Sequence, residues 1–138
     1  MGKLTKSIEI EASPEEVFNF VNDMEKMDKA HEGFTQAKYT SKGPVGVGTT
    51  AHFVMKDNEW DMEITEFVKN KKVTFHTVEA SKYKMTMLFT LEPTAKGTKL
   101  THYMDLEIPW LIYKFTVSKN ADKEVTQELE NIKKALEA

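Results

Sequence analysis

The chain contains no cysteine, and its 19 basic residues are all lysines, with no arginine among its 138 residues. Without cysteine there is no disulfide, no thiolate nucleophile and no thiolate-held zinc. Without arginine there is no planar guanidinium fork to grip a phosphate or carboxylate in two places. Neither sign of charge dominates. The formal net charge is −3, acids and bases are mixed along the chain, and the basic stripe of a nucleic-acid binder is missing. No apolar run approaches the length of a membrane span, and the opening MGKLTKSIEIEASP lacks the apolar core of a signal peptide. No Asn-x-Ser/Thr acceptor occurs. These absences describe a cytoplasmic protein with no nucleic-acid partner and no stable membrane insertion. The four histidines, His31, His52, His76 and His102, are far apart and form no His-x-x-x-His pair. No metal site and no cofactor is expected from them.

What is present is a regular alternation. The length suits one domain, residues 1–138, large enough for a hydrophobic core. Lys3 to Glu11 alternates around Leu4, Ile8 and Ile10, as a strand does. ASPEEV follows. Ser13 can cap a helix, Pro14 suits its first position, Glu16 completes a capping box, and Ala12 and Val17 are spaced to staple across it. Val17, Phe18 and Val21 make the buried stripe of that short helix, and NDMEKMDKAHEG predicts a second one ending near Gly33. Strands are expected over Phe34–Thr40, Thr49–Lys56, Glu59–Val68, Val73–Val78, Tyr83–Leu91 and Lys99–Ile108. Turn chemistry lies between them at Asp57-Asn58, at Asn70 and from Pro93 to Gly97. From Pro109 onward nothing breaks a helix, and Val125, Leu129, Ile132 and Leu136 recur at spacings of four, three and four.

Consecutive antiparallel strands with one dry face need a cover, and the last helix is the natural one. A single helix, about 10–12 Å wide, is too narrow to fill the hollow of a strongly bowed sheet. Either large side chains occupy the rest or a cavity remains. Strand parity supplies the wall: Trp60 and Met62, then Phe75, then Met85, Met87 and Phe89, then His102 and Met104; over Thr49–Lys56 the parity is ambiguous, and Phe53 and Met55 fit the inward set best. Five of these are methionines, unbranched side chains that adapt to irregular contents. The plainer reading is that they plug a solid core.

His102 lies in the dry row of LTHYMDLEI, between Leu100 and Met104. It can be a hydrogen-bonded core residue, a polar contact for an apolar ligand, or an acid–base catalyst, ranked in that order. Catalysis requires an orienting partner. The acids of its own strand, Asp105 and Glu107, point the other way, so a partner is expected from another strand. PWLIYKFTV, residues 109 to 117, is apolar nearly all round. It reads as a segment buried from several sides, or as a gate, dimer or membrane-docking patch. Trp110, Tyr113 and Val117 are spaced to face the hollow. GVGTTA, residues 46 to 51, fits a loose dinucleotide pattern, but the following residues are β-prone and offer no helix end to hold a pyrophosphate.

SIEIEASPEEVFNFVND, GPVGVGTT, WDMEITEF, FTLEPTAKGTKLTHYMDLEI and LENIKKALE together resemble the START-like superfamily of Bet v 1-type helix-grip proteins, in particular its polyketide cyclase/dehydrase branch. The resemblance spans nearly the whole chain. It implies an α+β helix-grip fold: a seven-stranded curved antiparallel sheet wrapped around a long C-terminal helix, with two short helices between strands 1 and 2. It implies a cavity between sheet and helix that binds a small hydrophobic molecule such as a lipid, polyketide-like compound or isoprenoid, with the GPVGVGTT loop beside one mouth. Some members of the family are enzymes, which keeps a cyclase or dehydratase using His102 as the alternative, and a protein-interaction role for 109–117 as a third. The chain is expected to act as a monomer or weak homodimer. The family often has proline and arginine after its fourth strand, where this chain has VKNKKV.

Overall fold

The computed structural model describes residues 2–30, 34–55, 58–78, 84–107 and 118–138; the side chains of 2, 34, 35, 55, 58 and 118–121 fall outside that description. The strands are β1 (Gly2–Ile10), β2 (Phe34–Tyr39), β3 (Thr50–Met55), β4 (Asn58–Val68), β5 (Lys72–Thr77), β6 (Lys84–Pro93) and β7 (Thr98–Glu107). The helices are α1 (Pro14–Val21), α2 (Met24–Ala30) and α3 (Ser118–Glu137). All seven strands form one antiparallel sheet in the order β1-β7-β6-β5-β4-β3-β2. Strands β2 to β7 run as a meander, and β1 leaves the start of the chain to pair with β7. The two short helices therefore connect the two edges of the sheet. This is the helix-grip architecture that the sequence implied.

Local chemistry explains the boundaries. Glu16 N–H donates to Ser13 Oγ at 3.2 Å, and the Glu16 carboxylate reaches back to the Ser13 N–H, so the capping box is complete. Ala12 and Val17 are both buried beneath it, as a staple requires. Asp23 ends the short break between the helices, its Oδ1 accepting from Glu25 N–H at 3.1 Å and Lys26 N–H at 3.3 Å. Two bulges, at Phe34/Gln36 and Ile64/Glu66, interrupt the registers and bend the strands that carry them. The second one breaks simple parity: after Ile64, it is Phe67 and not Glu66 that joins the packed face. Strand β6 also runs on to Pro93, which pairs with Thr98, so the turn is Thr94–Gly97 and not Pro93–Gly97.

Helix α3 is fastened at its C-terminal end. Lys133 Nζ donates to Glu9 O at 2.8 Å, Glu137 Oε2 accepts from Glu11 N–H at 2.9 Å, and Asn131 Nδ2 donates to Ala30 O at 2.7 Å. Near its other end, Asp122 pairs with Lys6 of β1 at 3.1 Å. Beside this fastening, Gly97 packs so closely that a Cβ would meet Ile10 O at 2.2 Å, while Thr98 Oγ1 donates to Ala12 O at 2.7 Å.

Candidate functional site

The inner face of the sheet is apolar and closed to water. Phe53, Met62, Phe75, Met85, Met87 and Phe89 are all buried, as is Trp60, while Met104 at the β1 side is half-buried. Opposite them, Val125, Leu129 and Ile132 of α3 are buried and Leu136 packs against the same core. Phe53 and Phe75 meet edge to face at 6.1 Å. In this conformation the described wall touches protein rather than solvent. Where a guest needs more room, the methionines are the side chains best able to move aside.

Into this wall the structure inserts one ionisable pair. His102 is 3 % exposed, and its Nδ1 lies 3.3 Å from Oε1 of Glu128, which is 1 % exposed. Phe89 stacks on the imidazole with ring centroids 4.2 Å apart and planes 21° from parallel, which fixes the ring's orientation. Neither ring nitrogen of His102 has a hydrogen-bond partner of good geometry among the described residues; the approach of Nδ1 to Glu128 is a close ion-pair contact. The partner expected from another strand comes instead from α3. Glu128 falls three residues after Val125 and four before Ile132, so helical geometry puts it in the middle of the dry stripe. Reading that stripe by its apolar members alone hides it, yet an acid inside such a stripe is a signal in its own right. Chemically, a carboxylate on the Nδ1 side of an imidazole orients it and leaves Nε2 available to a third group.

Two other histidines lie elsewhere. His52 Nδ1 is 2.7 Å from Asp61 Oδ1, and His76 Nδ1 is 2.9 Å from Thr86 Oγ1, both away from the pair. Among the described residues no cluster of side chains is arranged to hold a metal ion. The side chain of Met55, and Trp110, Tyr113, Val117 and the whole 109–117 stretch, lie outside the described residues, as do Tyr83 and His31.

The pair's row extends across the sheet. His102 is in register with Phe89, Phe89 with Val73, and Val73 with Phe67. At the far end, Phe67 meets Phe18 of α1 edge to face at 5.1 Å. These two rings form part of an open cleft of about 720 Å3, lined also by Asn22 and Asp23 at the α1–α2 junction, by Tyr39 of β2 and by Val45 of the glycine-rich loop. The glycine-rich loop thus contributes to this cleft at the Phe67 end of the row.

A bowed antiparallel sheet closed by a C-terminal helix, with a polar pair sunk in an apolar wall, defines a helix-grip protein. The family model for polyketide cyclase/dehydrase and lipid transport matches residues 1–137, and the chain belongs to that family. No curated protein matches it. Solved structures share the fold at low identity. A protein of Thermus thermophilus, TTHA0849, is 16% identical with a TM-score of 0.80, covering 98% of this chain and 97% of its own. MLL2253 of Mesorhizobium loti is also 16% identical, with a TM-score of 0.78, covering 99% and 97%. The Aha1 dimer of Colwellia psychrerythraea is 18% identical, with a TM-score of 0.75, covering 99% and 96%. Among the described residues, no helix is long and apolar enough to cross a membrane.

Proposed function

We propose that the protein binds a small, largely apolar molecule between the sheet and α3, with His102 as its polar contact and Glu128 holding the imidazole. Lipids, polyketide-like compounds and isoprenoids fit such a wall. The observation that carries this reading is the buried His102–Glu128 pair. Taking two ionisable groups out of water costs several kcal/mol, which well-packed apolar side chains of the same volume would avoid. A pair kept there, with Nε2 unpartnered among the described residues, makes sense if a guest's polar group completes it. The family's description, which includes lipid transport, supports the same class of ligand. Phe53, Trp60, Met62 and Phe75 form one side of the binding wall, and Met85, Met87, Phe89 and Met104 the other. The sequence pattern adds Met55, Trp110, Tyr113 and Val117 to this proposed wall, all outside the described side chains. The protein works as one domain in the cytoplasm, as a monomer or weak homodimer, without a cofactor.

The test is native mass spectrometry after incubation with a total lipid extract. The wild-type chain is expected to retain a species at 1:1, and the His102→Leu variant to lose it while remaining folded. A wild-type chain that stays empty against every fraction would overturn the reading.

A second reading is favoured by the carboxylate beside Nδ1: a dehydratase or cyclase in which His102 Nε2 takes the proton from the carbon beside a carbonyl, the C–H electrons form the C=C bond as the β C–O bond breaks, and the imidazolium returns the proton to the departing hydroxide as water. Loss of water from a β-hydroxy ketone, 4-hydroxy-4-methyl-2-pentanone, followed by NMR would reveal it. Elimination that vanishes in His102→Gln supports it; turnover no faster than in buffer rejects it.

A further inference from the structure

The open cleft at the other end of the sheet has its own chemistry. Its volume of about 720 Å3 is within the usual span for small-molecule sites, roughly 300–1,000 Å3. Phe18 and Phe67 supply an aromatic floor, their planes 61° apart. Tyr39 adds a third ring, and its hydroxyl donates to Asn22 O at 2.9 Å. Val45 closes one side and is not hanging free: Gly46 N–H donates to Thr49 Oγ1 at 2.9 Å and Gly48 N–H to Ile64 O at 2.9 Å. Gly43 and Gly48, at φ 97° and 93°, adopt the left-handed backbone this loop needs.

The polar edge of the cleft is weighted toward acceptors. Asp23 and Glu25 contribute carboxylates, and Asn22 Oδ1, shielded from solvent, has no hydrogen-bond partner among the described residues. Lys38, an exposed residue, also lines the cleft, and Lys26 Nζ is 4.0 Å from Asp23 Oδ2 in a largely exposed pair that solvent screens. Burial, and then the charge of Asp23, push the Tyr39 hydroxyl well above its ordinary pKa of 10.0. The field of Asp23 therefore reaches the floor, where a second anion would be disfavoured.

We propose that this cleft is a binding site for a small molecule with an aromatic body and a cationic amine, separate from the His102–Glu128 pair. The aromatic floor takes the ring and the Asp23 edge takes the ammonium, which can also lie against a ring face. The two sites are distinguishable in space, because Phe67 and His102 are three strand spacings apart, about 14 Å at roughly 4.8 Å per strand.

An NMR titration with phenethylammonium chloride, and separately with sodium phenylacetate, tests this. The ammonium is expected to shift Ala37, Tyr39, Val45 and Phe67 in a saturable way and to leave His102 and Met87 unmoved. The phenylacetate is expected to bind more weakly. Asp23→Asn, whose amide oxygen can still cap α2, should weaken the ammonium about fivefold, and Val45→Trp should fill the cleft and abolish the shifts. Equal binding of the two probes, indifference to Asp23→Asn, or shifts centred on His102 would overturn the proposal.

Discussion

Replacing His102 and Glu128 singly and together separates what the pair does for stability from what it does for binding. Removing one member of a buried pair takes from the other a partner that water cannot replace, at a cost of about 3–5 kcal/mol. The local structure offers little relief, since His102 is 3 % and Glu128 1 % exposed and Phe89 lies flat on the imidazole. Domains of this size are stable by about 5–15 kcal/mol, so each single variant, His102→Leu or Glu128→Met, is expected to fold but with a large deficit. With a urea slope of about 2 kcal/mol/M, the deficit moves the unfolding midpoint down by about 2 M. The double variant replaces the pair by apolar side chains, which elsewhere is neutral or stabilising by about 1–4 kcal/mol. It should therefore regain the wild-type midpoint or exceed it, while failing to retain a ligand in native mass spectrometry. Urea melts followed by the fluorescence of the two tryptophans measure the first half. If the two single effects simply add in the double variant, His102 and Glu128 are not coupled and the reasoning fails. If the double variant binds as well as the wild type, the pair is structural only.

Three further outcomes follow from particular contacts. Gly97→Ala forces a methyl into Ile10 O and the Ala12 backbone; overpacking of this kind costs about 1–3 kcal/mol, so a thermal melt should show a clear loss, and an unchanged Tm would contradict the close approach. Lys133 and then the Glu11 N–H hold the Glu137 carboxyl below its ordinary value of 4.5. The tie it makes is thus whole above pH 4.5 and is released as pH falls through the lowered value, so the Glu11 amide shift should titrate below 4.5 in the wild type and be flat in Glu137→Gln. Tyr39, raised by burial and then by Asp23, keeps its proton past 10.0. Its contribution to stability is complete below pH 10.0 and declines as pH rises through the folded value, and ultraviolet titration should show one of the four tyrosines lagging the others, a lag lost in Tyr39→Phe.

Much of this fold is legible in the sequence because its signals are local. The capping box at Ser13–Glu16 needs only four residues, and a half-buried strand such as Thr98–Glu107 repeats its side-chain period of two whatever surrounds it. The inward set from Trp60 to Phe89 follows from that period, whereas the parity around Phe53 is ambiguous in the sequence and its burial is seen only in the structure. The bulge at Ile64/Glu66 does not, because an inserted residue shifts parity without any special side chain to announce it, and Phe67 escaped notice for that reason. Glu128 escaped for a different one. Its place on α3 is calculable, but the contact it makes with His102 joins residues 26 positions apart along the chain. The acceptor-rich cleft likewise joins α1, α2, β2, β4 and the glycine-rich loop, and no spacing in one segment encodes it.

The central claim is that the space between sheet and α3 can open to an apolar guest. Xenon binds apolar cavities without polar help, so the methyl resonances of Met62, Met85, Met87 and Met104 under xenon pressure report on that space directly. Saturable shifts at these methyls, absent from the exposed Val47 and Val68, are the expected result. Methionine methyls that do not respond would mean an interior packed solid, and both the binding and the acid–base readings would fall with it.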